Sequence, residues 1–195
     1  MTSLRFMTLA VAAAALPFTV TAASADDANH FAPQMELFLS LTVQAWVSDD
    51  VAIDAIRAQN SRTGDLSEAE ILALDKKWRA AQVSDPIIAD VLNNPFSDFL
   101  RTQSAQYEGV VTEVFVTDAK GLNVAATVPT SDYWQGDEAK HQESFGKGAG
   151  AIHIGGMEVD ESTGVYQGQA SMTISDPETG DPIGAITVGV LPEML

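Results

Sequence analysis

Residues 130–142, TSDYWQGDEAKHQ, gather two aromatic rings, three carboxylates, a lysine and a histidine in thirteen positions. Elsewhere the chain is sparing with such groups, having only three tryptophans and three histidines in all. Tyr133 and Trp134 offer flat faces with polar tips, the means of holding a small organic molecule or an organic cation. The same rings also serve ordinary core packing. Asp132 and Asp137 can take an amine or a hydroxyl, or cap a helix and face solvent. Lys140 can pair with a ligand carboxylate, or with Asp137 on one helix face. Tyr166, on a later strand, is a further candidate for the ligand pocket. Its neighbours Gln167 and Gln169 share one strand face, and Tyr166 and Gly168 share the other. The sequence leaves open which face meets a pocket.

Glu138 and His141 form E-x-x-H, a spacing at which a carboxylate and an imidazole can share a metal. A di-metal centre needs two such motifs, and the chain has one. A metal-binding or hydrolytic centre built on Asp137, Glu138 and His141 is therefore the alternative reading. Against it, the chain lacks G-x-S-x-G, H-E-x-x-H and G-x-x-x-x-G-K-[ST]. FGKGAG leads into a strand and so lacks the helix N-terminus that cradles phosphate. His141 and Ser144 have no identifiable third partner for nucleophilic catalysis. The first expectation is a non-enzymatic binding protein, with no catalytic residue, metal ligand or cofactor.

Bulk composition narrows the partners. Ten Lys and Arg stand against 27 Asp and Glu, for a net charge of −17. Such a surface repels phosphate backbones, and no basic cluster offsets it, so nucleic acid is excluded as a partner. There is no cysteine, which removes thiol nucleophiles, thiolate metal sites and disulfides. Residues 1–25 read as a secretory signal peptide. Arg5 precedes an apolar run from Phe6 to Val20, and Ala23-Ser24-Ala25 has the small-x-small pattern of a cleavage site. Cleavage near Ala25 would place a chain of one domain's length in the periplasm or outside the cell.

The elements that must position the chemistry fall into two textures. Residues 26–107 read as helical. Phe31, Met35, Phe38, Leu41 and Ala45 form a helical stripe, widened by Leu37 and Trp46. Ser48 is read as the cap of a second helix. Ser67 and Glu70 make a capping box, and Asp85-Pro86 and Asn94-Pro95 each pair a cap with Pro at the first helical position. Residues 108–195 read as strands. VVTEVFVTDAKGLNVAAT is a hairpin turning at residues 118–121, and SDPETGDPIGAITVGV is a closing hairpin. The 130–142 stretch interrupts them, with a short helix expected over about Asp137 to Phe145. The expected fold class is α+β: a long N-terminal helix, shorter helices, and five antiparallel strands in one domain.

These segments resemble the extracytoplasmic sensor domains called Cache or PDC domains, which are relatives of the PAS fold. The resemblance is best over residues 109–190, through the strand, D-x-x-G turn and strand of VFVTDAKGLNVAAT and through the closing hairpin. It implies a PAS-like five-stranded antiparallel sheet, a small-molecule site beneath the segment between the hairpins, and no catalysis. The ligand-binding residues it points to are Asp132, Tyr133, Trp134, Asp137, Lys140 and Tyr166. It further implies a homodimer through the N-terminal helix and signalling to a membrane-bound kinase or receptor, here from a free-standing form. Amino-acid-binding members carry an arginine before a Trp-Tyr pair and an aspartate in the last strand. This chain has no arginine in SDYWQGDE and has Gly189 where that aspartate is expected, so the resemblance does not imply an amino acid as ligand.

Overall fold

The computed structural model describes residues 25–162 and 164–195, with side chains from His30 onward. The signal peptide expected over residues 1–25 lies outside the described residues but for Ala25. Helix α1 (Ala25–Phe38) runs through a wide π turn (Leu39–Val43) into α2 (Gln44–Val47) as one rod. Then come α3 (Asp50–Thr63), α4 (Glu68–Ala80), α5 (Pro86–Leu92) and α6 (Pro95–Ser104). Strands β1 (Val111–Asp118), β2 (Asn123–Ala126), β3 (Ile152–Val159), β4 (Tyr166–Ser175) and β5 (Pro182–Val190) follow, with the one-turn helix α7 (Ala139–Gln142) between β2 and β3. All pairings are antiparallel, in the order β2-β1-β5-β4-β3. This is the α+β architecture expected from the sequence.

Local signals set the short helices. Ser67 and Glu70 close the expected capping box on α4. Asn94 accepts from the Ser97 amide at the start of α6. The cap of α3 is Asp49, whose carboxylate accepts from Val51 N, in place of Ser48. The turn between β1 and β2 uses Asp118, whose Oδ1 accepts from Lys120 N at 2.8 Å and Leu122 N at 3.0 Å. Gly121 supplies its left-handed residue at φ +83°. At the β4–β5 turn, Arg57 of α3 grips Asp176 with two bonds of 2.7 and 2.6 Å. That guanidinium holds the Asp176 carboxyl down at about 2.

Two expectations change. The buried stripe of the first rod is Met35, Phe38, Leu39, Val43, Trp46 and Val47, while Leu37 and Leu41 are 57% and 73% exposed. Met35, Phe38 and Leu39 share one face at helical spacing, and the π turn, in which Gln44 N reaches Leu39 O, keeps Val43 and Val47 on that face further along. Spacing of four residues drifts about 40° per step in an ideal α-helix, and one wide turn absorbs that drift. The helix expected over Asp137 to Phe145 is shorter, being α7 capped at Glu138, with a separate 3₁₀ turn at Phe145–Lys147.

The sheet divides two different interiors. Val114, Val116, Ala170, Met172, Ile174, Ile186, Val188 and Val190 meet α1, α2, α3 and α6 in the main apolar core. Alternation along each strand sends the intervening residues to the opposite face, under residues 127–151 and α4.

Candidate functional site

That opposite face is buried and polar. β1 contributes Glu113 and Thr117, β4 contributes Gln167, Gln169, Ser171 and Thr173, and β5 contributes Thr187. Each is at most 5% exposed. Burial of polar groups is unfavourable unless they are paired, and most here are. Glu113 Oε1 accepts from Gln167 Nε2 at 2.6 Å and from Gln169 Nε2 at 3.0 Å. Ser171 and Thr187 hydroxyls meet at 2.9 Å, and Thr117 Oγ1 lies 3.1 Å from His141 Nδ1. Among the described residues, Thr173 Oγ1 is buried with no hydrogen-bond partner, as are Gln135 Oε1 and Asn123 Oδ1.

Residues 127–151 cover this face, and α4 holds them there. Asp75 Oδ1 accepts from Tyr133 N at 3.0 Å and Trp134 N at 3.2 Å. Trp78 Nε1 donates to Thr130 O at 2.9 Å. Arg79 bridges Asp75 at 2.8 Å and Asp132 at 3.2 Å. Over the polar floor, Lys140 Nζ lies 2.8 Å from Glu138 and 5.4 Å from the centre of the Phe115 ring.

Two adjoining cavities flank the Glu138–Lys140 pair. One, of about 290 Å³, is lined by Ser131, Asp132, Glu138, Lys140, Glu158 and Asp160 among others. Its neighbour, of about 250 Å³, shares Glu138, Lys140 and Glu158 and adds His153, Gly155 and Gln169. The β3–β4 register shifts between Ile154 and Met157, and the glycines there put no side chain into the space. Burial and the Glu138 carboxylate push Asp132 up to about 6, against the pull of Arg79. Burial and then Asp160 push Glu113 up to about 7, while the two glutamine amides oppose them. Burial lowers His141 below its ordinary value, against the opposing pull of Asp118.

The six residues singled out by the sequence do not converge. Asp132 and Lys140 line one cavity together. Tyr133 stacks on Trp78, with ring centres 5.4 Å apart, and faces a different groove on the far side of β2. Trp134 Nε1 donates to Lys120 O at 2.8 Å and packs at the touching glycines 121 and 136, clamping the hairpin turn. Asp137 is exposed, and Tyr166 is 46% exposed at the start of β4, on the helix side of the sheet. The residues not singled out as ligand contacts are Glu113, Gln167, Gln169 and the α4 clamp. Gln167 and Gln169 were visible as one strand face, and the covering segment makes that face the polar floor. Gly189 has a steric reason: a β-carbon there would stand 2.7 and 2.8 Å from the Gln167 amide atoms. Thr112 Oγ1 is closer still, at 2.5 Å, so a side chain at position 189 needs both neighbours to move.

No family model matches the chain, and no curated protein matches it. Among solved structures, the extracellular domain designated rpHK1S-Z16 aligns with a TM-score of 0.43 and 15% identity, over 85% of this chain and 56% of that one. The ligand-binding domain of the Campylobacter jejuni chemoreceptor Tlp3, in complex with L-valine, gives 0.39 and 11%, over 86% and 64%. The E. coli DcuS sensor domain gives 0.39 and 13%, over 65% and 90%. The chain thus spans less than two thirds of the first two. No helix among the described residues is long and apolar enough to cross a membrane.

Proposed function

We propose that this chain is a non-enzymatic, extracytoplasmic sensor-type domain that binds a small molecule over the polar face of its sheet. The observation that carries this reading is that floor: seven buried polar side chains in strand register, roofed by a separately clamped segment, with cavities on both sides of the Glu138–Lys140 pair. A sheet face built only for packing would be apolar, as its other face is. Five carboxylates against one ammonium line the first cavity, which favours a ligand with positive charge and hydrogen-bonding groups. Asp132 and Lys140 act as direct contacts, with Gln169 below. The proposal includes export near Ala25, relay to a membrane-bound kinase or receptor, and pairing of two copies through the N-terminal helix. The exposed Leu37 and Leu41 give that pairing an apolar strip.

The competing metal or hydrolytic reading finds less support. Glu138 is committed to Lys140, His141 turns beneath to Thr117, and Asp137 faces solvent. Among the described residues no group of three or more His, Asp or Glu is arranged to hold a metal.

A thermal-shift screen of the mature chain against amines, organic acids, purines and metals tests the proposal, because a ligand of the native state stabilises it by RT ln(1 + [L]/Kd) and so raises Tm. The expected result is an organic hit abolished by Gln169→Ala. A hit that survives Gln169→Ala and Lys140→Ala, or a metal response lost in His141→Ala, would sink it.

A further inference from the structure

A large groove lies outside the polar face. It is a groove of about 580 Å³ between α3, the α5–α6 elbow and the open side of β2. That volume is in the range of small-molecule pockets. One continuous face of α3 forms a wall, through Val51, Asp54, Ala55, Ala58 and Arg62. Val91, Pro95, Phe96 and Val124 supply apolar surface, and the two alanines keep the groove wide. Asp54 and Asp90 stand on opposing helices, and neither makes an ion pair within the described residues. Tyr133 forms the back. Its ring is fixed against Trp78, and its hydroxyl has no hydrogen bond within the described residues. Asp118, Arg62 and Asp90 all act on that hydroxyl, and burial keeps it protonated, so it stays a donor.

We infer that this groove is a second ligand site, which takes an organic amine with an aromatic or branched apolar body. The body lies along Ala55, Ala58, Val91 and Phe96, where its burial drives binding. The ammonium sits toward Asp54 and Asp90, in the field of a chain with net charge −17. Tyr133 donates to an oxygen on the ligand where one is present. Because Tyr133 and the polar-face residue Asp132 are adjacent and share the α4 clamp, occupancy of the groove bears on the same covering segment.

The test uses phenethylamine as probe and phenylacetate as its anionic counterpart, followed by calorimetry and by the shifts of labelled tyrosine. Phenethylamine is expected to bind, to perturb Tyr133, and to bind at least about tenfold tighter than phenylacetate, the factor that 1.4 kcal/mol represents. Ala58→Trp, an exposed position on α3, fills the groove and abolishes binding. Asp54→Asn with Asp90→Asn, also exposed, weakens the amine and leaves fold and Tm in place. Glu138→Gln, in the polar-face cavities, leaves amine binding unchanged. Absence of binding at millimolar amine, equal binding of the anion, or loss in Glu138→Gln with retention in the double Asn variant would overturn the inference. The ligand sought for the polar face should survive Ala58→Trp, so failure of either site is read separately.

Discussion

Glu113 is the residue whose ionisation the fold opposes most visibly. It sits at 2% exposure, with Gln167 and Gln169 donating to one oxygen, and Ser162 Oγ 3.4 Å from the other. Its carboxyl is raised from 4.5 to about 7. A carboxyl raised in the folded state binds more protons there than in the unfolded chain. The resulting stability is complete below about pH 4.5 and is lost as pH rises to about 7. Asp132, raised to about 6, acts with the same sign over an overlapping window. Asp176, held at about 2, has the opposite sign and changes nothing above its unfolded range. Glu113→Gln keeps the acceptor for both glutamines and removes the buried charge. The variant should be more stable than the parent by roughly 1–3 kcal/mol at pH 8 and equal to it near pH 4. Urea midpoints measured across that interval check this, and an unchanged slope in the variant would exclude Glu113 as its source.

Among elements, the first rod and α4 make the sharpest claims. In the first rod Leu39 is at 0% exposure and Leu41 at 73%, although the stripe read from the sequence runs through Leu41. Leu39→Ala should cost about 2–5 kcal/mol, the usual cost of a buried leucine. Leu41→Ala should stay within about 0.5 kcal/mol. Chemical denaturation of the pair decides between the two registers. On α4, Asp75→Ala would leave the amides of Tyr133 and Trp134 without their acceptor and Arg79 with one partner fewer. A loss of about 1–3 kcal/mol follows from the unpaired groups. Amide exchange should speed up in residues 127–151 while the β4–β5 ladder stays protected. These elements also show where sequence reading stops. The capping box at Ser67 and Glu70 and the hairpin turns are local patterns, complete within a few residues, and the structure reproduces them. The π turn is set by what the rod packs against. The clamp pairs Asp75 with amides 58 and 59 residues away, which no spacing rule reveals.

For the whole molecule, the five strands and their helical cover were legible because two hairpins and a run of helix caps leave few ways to build one sheet. The polar floor was not, because strand alternation gives two faces and only the packing of the helices decides which becomes core. The aromatic pair of the 130–142 stretch drew attention as one site, but its backbone crosses the edge of the sheet. Tyr133 therefore faces the groove outside β2, and Asp132 and Lys140 face the polar cavity. What unites the two sites is the excess of acid. A net charge of −17 repels itself in the folded state, and both cavities carry more carboxylates than cations. Salt should act on stability and on binding with opposite signs. Raising ionic strength from about 0.01 to 0.15 M shortens the screening length from about 30 to 8 Å. Repulsion among the exposed carboxylates is then damped, while the ion pairs lost are exposed or half-exposed and contribute little. Tm should therefore rise with sodium chloride, and the affinity for phenethylamine should fall over the same range. Calorimetry of both quantities on one salt series checks the pair. A Tm that falls with salt would show that the surface ion pairs outweigh self-repulsion, and an amine affinity indifferent to salt would show that the carboxylates of the groove do not hold the ammonium.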